Sequence, residues 1–163
     1  MLDNIKAQEQ ERSLFIIKPD SYMYKTEILK ELRQHFELQY VRDVILNEEF
    51  LAQLYDDEAD ENINLMNVVY FKGKIATIGI AQGENCQKRL FELCGDSYDP
   101  NMCHKTTIRY KYSTKKTPII VNGGTFYLNA IHRSLPEEAE KEIELYMKTY
   151  IRNRQERMEK DER

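Results

Sequence analysis

The chain has no apolar run approaching the length of a membrane span, no repeat and no low-complexity linker. Cysteine is scarce. Cys86, Cys94 and Cys103 are odd in number and form no CxxC pair. That argues against a disulfide framework. It also argues against zinc, because the adjacent Cys103 and His104 have no second pair at ligand spacing. Free thiols in a reducing compartment are expected, and with them a cytoplasmic location. The polar, charged stretch from Met1 to Arg12 is read as neither a signal peptide nor an anchor. GxGxxG and GxxxxGK[ST] are both missing, which removes two well-known phosphate-cradling loops. An excess of positive charge is missing as well. Twenty-four Lys and Arg stand against 28 Asp and Glu, for a formal charge of -4. That balance speaks against binding nucleic acid or an anionic membrane across the whole surface, yet leaves room for a small basic pocket.

What remains fits one domain. At 163 residues, with 41% hydrophobic and 32% charged, the chain has enough apolar material for a single core. The last stretch, RNRQERMEKDER from Arg152 to Arg163, mixes both signs of charge and reads as a solvated tail rather than a nucleic-acid arm.

Between the charged ends, strands and helices alternate. Ser13–Ile17 is an apolar run stopped by Lys18-Pro19-Asp20, as expected of a buried strand. Over Thr26–Phe36, Ile28, Leu29, Leu32 and Phe36 share one helical face. Leu38–Leu46 is rich in β-branched and aromatic residues and predicts a second strand. Asn47 can cap a helix that turns Phe50, Leu51 and Leu54 inward. An acidic loop at Asp56–Glu61 leads to a short helix over Asn62–Phe71. Lys74–Ala81 predicts a third strand, and Asn85–Cys94 a helix ended by Gly95. Asp96–Lys116 has no regular period. Pro118–Leu128 reads as a hairpin around Asn122-Gly123-Gly124. Phe126–Ile131 then leads into a loop. Pro136 opens a final helix with Ala139, Ile143, Met147 and Tyr150 along one stripe. This order suits an α+β fold of the β-α-β-β-α-β type, an antiparallel or mixed sheet with helices packed on one face.

Three histidines are candidates for chemistry. His35 lies on a helix and His104 in the irregular stretch; both read as ordinary residues. His132 follows an apolar strand and precedes a helix, with Asn129 and Ser134 nearby. An imidazole held there can serve as nucleophile or general base. Lys18, Arg89 and Arg109 sit at element ends or on the neighbouring helix. Together with His132 they suit phosphoryl transfer, which depends on positioning and on positive charge around the moving group.

These residues fall in a recognisable order. Glu11-Arg12-Ser13-Leu14-Phe15-Ile16-Ile17-Lys18-Pro19-Asp20 comes first. Gly83-Glu84-Asn85 precedes a helix and Gly95, followed by Asp99-Pro100 and Thr107-Ile108-Arg109. Asn129-Ala130-Ile131-His132 with Ser134 comes next, and Ala139-Glu140-Lys141-Glu142-Ile143 closes the series. In this order the chain resembles the nucleoside diphosphate kinase family, as a divergent member, over residues 11–151. Residues 1–10 then form a polar extension and 152–163 a tail. The resemblance implies a ferredoxin-like antiparallel sheet and ping-pong transfer of a γ-phosphoryl group from a nucleoside triphosphate to a nucleoside diphosphate. His132 matches the histidine that carries the phosphoryl group. Lys18 matches a lysine at the phosphates and the sugar 3'-hydroxyl, and Asn129 an asparagine at the sugar. Arg109 and Ser97 match phosphate-binding positions, Tyr55 a tyrosine near the histidine, and Glu142 a glutamate that orients the imidazole. Mg²⁺ bridging phosphate oxygens, with no protein cage, and a homo-oligomer are implied too; a membrane or nucleic-acid partner is not.

The chain also departs from the family pattern. Phe91 stands where the family has an arginine. Arg89, two residues away, points about 200° elsewhere on a helix and reaches the cleft only if the register shifts. Arg133 replaces a glycine, Leu135 an aspartate, Tyr110-Lys111 a Gly-Asp pair, and Ile63 the aromatic that lies over the base. About ten extra residues separate Arg109 from Asn129. From these departures comes an alternative reading, a nucleotide-binding regulatory or interaction module of the same fold that has lost turnover. An RNA-binding sheet is a weaker third reading, because the chain is acidic and shows no aromatic RNP-like motif.

Overall fold

A computed structural model describes residues 10–56, 61–121 and 124–152. The N-terminal extension up to residue 9, the centre of the acidic loop, the Asn122-Gly123 turn and the tail from residue 153 lie outside the described residues.

The first strand, β1, spans Gln10–Ile17. Leu14 to Ile17 are buried without a break, and the pleat sends Leu14 and Ile16 into one core and Phe15 and Ile17 into another. An unbroken apolar run is what a strand covered on both faces requires. The sheet therefore carries helices on both faces, and this corrects the expected one-faced packing. On one side lie α1 (Lys25–His35) and α4 (Cys86–Cys94). On the other lie α2 (Glu48–Leu54), α3 (Glu61–Phe71) and α6 (Ala139–Tyr146).

Strand β2 (Glu37–Ile45) and strand β3 (Ile75–Glu84) complete the centre, and the short β6 (Ile131–Arg133) forms the far edge. The order is β2-β3-β1-β6, with every pairing antiparallel. This is the ferredoxin-like arrangement. Gly79 of β3 faces Phe15, and a Cβ there would fall 2.5 Å from the phenyl ring. A bare backbone at that point lets the ring lie flat across the strand. Asn47 caps α2 as expected, accepting a hydrogen bond from the Phe50 amide at 2.7 Å.

One further expectation changes, the hairpin holds, and the closing stripe gains residues. The irregular stretch contains a short helix, α5 (Ile108–Tyr112), capped by Thr107. Five residues are too few to show a helical period. The hairpin forms as β4 (Ile119–Val121) against β5 (Gly124–Phe126), a ribbon separate from the main sheet. Its Phe126 is buried against Phe71 and Tyr70. On the closing helix, Ala139 and Ile143 are buried, Met147 and Tyr150 are half-buried against the same core, and Tyr146 and Ile151 join them as buried positions. A π-helical turn over Met147–Arg152 widens the coil and shifts the buried face.

Candidate active site

The site forms where the edge strand β6 meets α3, α4, α6 and the loop before α5. His132 lies within β6 rather than after a strand, paired across from Ile16 of β1. That pairing places its ring on the face covered by α2, α3 and α6. The imidazole Nε2 is 2.6 Å from Glu142 Oε1. The same oxygen accepts from Ser134 Oγ at 2.8 Å. An ionised carboxylate can only accept, so Nε2–H is the donor and the neutral ring keeps its lone pair on Nδ1. Only 14% of the His132 side chain and 10% of the Glu142 side chain are exposed, so the pair is held but reachable. The Tyr55 ring meets the imidazole edge-on, with centroids 5.7 Å apart. Burial, with the Glu142 charge nearby, drives the Tyr55 phenol far above its ordinary pKa and keeps it neutral.

A second cluster is cationic. The Lys18 ammonium donates to Asn129 Oδ1 at 3.0 Å and lies 4.6 Å from the Phe71 ring centre. Asn129 in turn donates to the Tyr98 carbonyl at 3.1 Å. Burial lowers the Lys18 pKa to about 8; Asp20 opposes the shift, while Arg109 and Arg133 add to it. Arg109 is buried in α5. Its Nε and one terminal nitrogen donate to the Ile131 carbonyl at 3.1 and 3.0 Å, and its other terminal nitrogen to the Ser97 carbonyl at 2.8 Å. Burial, then Arg133, lowers its pKa to about 10.

Gly95 makes room for this arrangement. Its φ is +121°, and a Cβ would fall 2.8 Å from Cys103 Sγ and 3.1 Å from Arg109 Cβ. Another residue would meet both the backbone strain and the crowding. Asp20 holds a neighbouring turn. Its Oδ2 accepts from the Ala130 amide at 3.1 Å, and Ala130 adopts a φ of +72° between Asn129 and Ile131. Such a conformation is costly for a residue with a Cβ and persists where its surroundings fix it.

Lys18, Tyr55, Arg109, Asn129, His132 and Glu142 line a common cleft of about 290 Å³. Ser134 supports Glu142 from outside the lining, and Ser97 contributes its carbonyl to Arg109. Arg89 is a correction. It does not line the cleft; its guanidinium donates to the Glu84 and His35 carbonyls and lies over Phe36. The helix register has not shifted, and Phe91 faces the cleft instead. Leu54, Asn67 and Tyr98 also line the cleft and were not singled out from sequence. They carry no motif, and only the fold brings them together.

The cleft thus sets a carboxylate-held imidazole beside buried cations on a ferredoxin-like sheet. The sequence model of the family described as nucleoside diphosphate kinase matches residues 11–151, and the chain belongs to that family. Solved structures agree in fold. The Aquifex aeolicus nucleoside diphosphate kinase superposes at a TM-score of 0.70 with 24% identity, covering 83% of this chain and 94% of that one. A nucleoside diphosphate kinase of Borrelia burgdorferi, solved with bound vanadate and ADP, gives a TM-score of 0.70 at 21% identity, covering 85% and 88%. The Encephalitozoon cuniculi enzyme gives 0.70 at 24% identity, covering 84% and 88%. No individual curated protein matches the chain. Among the described residues, no helix is long and apolar enough to cross a membrane.

Proposed function

We propose that this chain moves the γ-phosphoryl group of a nucleoside triphosphate to a nucleoside diphosphate through a phosphohistidine at His132. The observation that carries this reading is the Glu142–His132 bond within a cleft that also holds Lys18 and Arg109. In the first half-reaction the Nδ1 lone pair forms a bond to the γ-phosphorus as the bond to the β–γ bridging oxygen breaks. The nucleoside diphosphate leaves with that electron pair. In the second, a β-phosphate oxygen of another nucleoside diphosphate attacks the phosphohistidine, and the N–P electron pair returns to Nδ1. Glu142 steadies the positive charge that grows on the ring. Lys18 and Arg109 offset the charge gathering on the leaving oxygen, and Asn129 positions the sugar.

Mg²⁺ fits this cleft only as a passenger of the nucleotide. Among the described residues no three His, Cys, Asp or Glu side chains form a metal cage. Lys18 and Arg109, which line the cleft, are donors suited to phosphate oxygens rather than to a metal. The ion, when bound, neutralises phosphate charge. The partners proposed are therefore nucleoside tri- and diphosphates, together with further copies of the chain in a homo-oligomer.

Incubation with γ-labelled ATP should mark the wild type at an acid-labile site, and His132→Ala should take up no label. Label persisting in that variant would remove His132 from the mechanism. The alternative, a binding module without turnover, draws on Phe91, Arg133 and Leu135, all of which line the cleft. It predicts calorimetric binding of ADP with no transfer to a second nucleotide.

A further inference from the structure

Helix α3 forms one wall of the cleft, and its buried positions are Asn67, Val68 and Phe71. Valine and phenylalanine are what a core-facing helix needs. Asparagine is not, because a carboxamide taken out of water costs free energy unless its polar atoms find partners. Asn67 is only 3% exposed, yet it lines the cleft beside Leu54 and Ile63. The phosphoryl-transfer chemistry makes no use of it.

Half of this side chain has a partner in the protein. Its Nδ2 donates to the Ile63 carbonyl one turn back, at 3.0 Å. The oxygen accepts nothing from the described residues, and it is not sealed from solvent either. The little surface that Asn67 keeps therefore includes this oxygen, at the cleft wall. The bond to Ile63 also fixes the sense of the amide. An unanchored asparagine can turn either its NH₂ or its oxygen toward a ligand. Here the NH₂ is tied to a carbonyl, so the oxygen presents a fixed acceptor.

The position along the helix points to the part of the ligand it meets. Ile63, Asn67 and Phe71 follow one another at one-turn steps on one face. The Phe71 ring is 1% exposed and seats the Lys18 ammonium, 4.6 Å from its centre. Lys18 in turn bonds Asn129, the proposed sugar-binding residue. Asn67 stands one turn outward from that seat, a step of about 5.4 Å, toward the half-buried Ile63. A nucleotide with its phosphates at His132 and Arg109 and its sugar at Asn129 presents its base in that outward direction. A carboxamide oxygen does not suit phosphate, since both are acceptors. It suits an N–H. An exocyclic amine on the base offers one, whereas a carbonyl at the same place sets oxygen against oxygen.

We propose that Asn67 determines base preference by accepting a hydrogen bond from the exocyclic amine of the nucleobase, so that the cleft favours amino bases over their keto counterparts. This rests on reading the cleft as a nucleotide site.

Calorimetry on the full-length wild type and N67L tests it with two ligand pairs that exchange an amine for a carbonyl: ADP with inosine diphosphate, and CDP with uridine diphosphate. Inorganic pyrophosphate, which has no base, is the control. The wild type should bind the amino member of each pair about 2- to 10-fold more tightly, the net worth of one hydrogen bond. N67L should bind both members alike, with its affinity for pyrophosphate unchanged. Leucine keeps the volume and loses the carboxamide; if N67L does not fold, N67A takes its place. Equal wild-type affinities within both pairs would overturn the proposal, and so would a preference that survives in the variant. An equal loss for pyrophosphate would make Asn67 a purely structural residue and overturn it as well. All three results leave the nucleotide reading standing. A wild type that binds none of the four nucleoside diphosphates would overturn that reading together with this one.

Discussion

The two sides of β6 solve different problems with different chemistry. On the His132 side, each group is committed to a short partner: Ser134 to Glu142, and Glu142 to the imidazole. On the Arg133 side, carbonyls and a ring hold the guanidinium groups: Arg133 meets the Gly95 carbonyl and the Phe91 ring, and Arg109 the Ile131 carbonyl. The first side is arranged to set a tautomer. On the proposed reading, the second receives the charge of the phosphates. The contrast separates chemistry from binding: damage on the histidine side should slow phosphoryl transfer, and damage on the cationic side should weaken the hold on nucleotide.

The largest break in that comparison should come from Glu142→Gln. An amide in place of the carboxylate removes the charge that steadies the imidazolium, and its NH₂ can turn the ring to the other tautomer. The rate of histidine labelling from γ-labelled ATP should fall about 10- to 150-fold, the range for losing a charge-assisted hydrogen bond. ADP affinity measured by calorimetry should stay near the wild-type value. A parallel loss of affinity would show that the two sides are one unit.

A pH series sharpens the comparison from the other side. Free Lys18 loses its charge near pH 8, well below the ordinary lysine range, because it is buried. A bound phosphate favours the charged form and raises the pKa again. ADP affinity should thus weaken as pH rises through 8, by roughly tenfold at pH 9, where about a tenth of the free protein holds a charged lysine. Lys18→Met should remove this dependence and start from weaker binding. The linkage to folding runs the opposite way. The unfolded chain binds more protons between about pH 8 and the ordinary lysine value, so Lys18 makes the empty fold more stable as pH rises across that window. Urea unfolding of the nucleotide-free protein should show that sign.

Much of this contrast could be read from sequence, and unequally so. The run Leu14–Ile17 announced a buried strand, and the alternating order of elements announced the α+β class. Lys18, Asn129, His132 and Glu142 stand in spaced motifs, and the fold brings all four to one cleft. The cationic side was less legible. Arg133 and Arg89 look alike as letters near the site, yet only a three-dimensional register separates them: Arg89 turns to the Glu84 and His35 carbonyls, and Arg133 turns inward. Gly95 was legible as a helix stop but not as the gap beside which Arg109 and Cys103 pack. Asp20 was visible only as part of Lys-Pro-Asp, because its bond to the Ala130 amide spans 110 positions. The stripe drawn at regular helical spacing named Met147 and Tyr150, which pack half-buried on the core, but missed Tyr146, three residues after Ile143, and Ile151, which lies beyond a widened turn.

Ser134 offers the finest probe of the histidine side. Its hydroxyl is fully buried and shares Glu142 Oε1 with the imidazole, so it does not compete for a separate lone-pair direction on the other oxygen. Its work is to fix where that oxygen sits. Ser134→Ala removes one neutral-to-charged bond while leaving carboxylate and imidazole in contact. Part of the lost anchoring remains in that 2.6 Å contact. Labelling should slow by only about 2- to 10-fold, matching the net worth of one ordinary hydrogen bond, with ADP affinity unchanged. Combined with Glu142→Gln it should add almost nothing, because the serine acts through the carboxylate that the second change has already neutralised. Full additivity in the double variant would mean that Ser134 reaches the imidazole by a route other than Glu142.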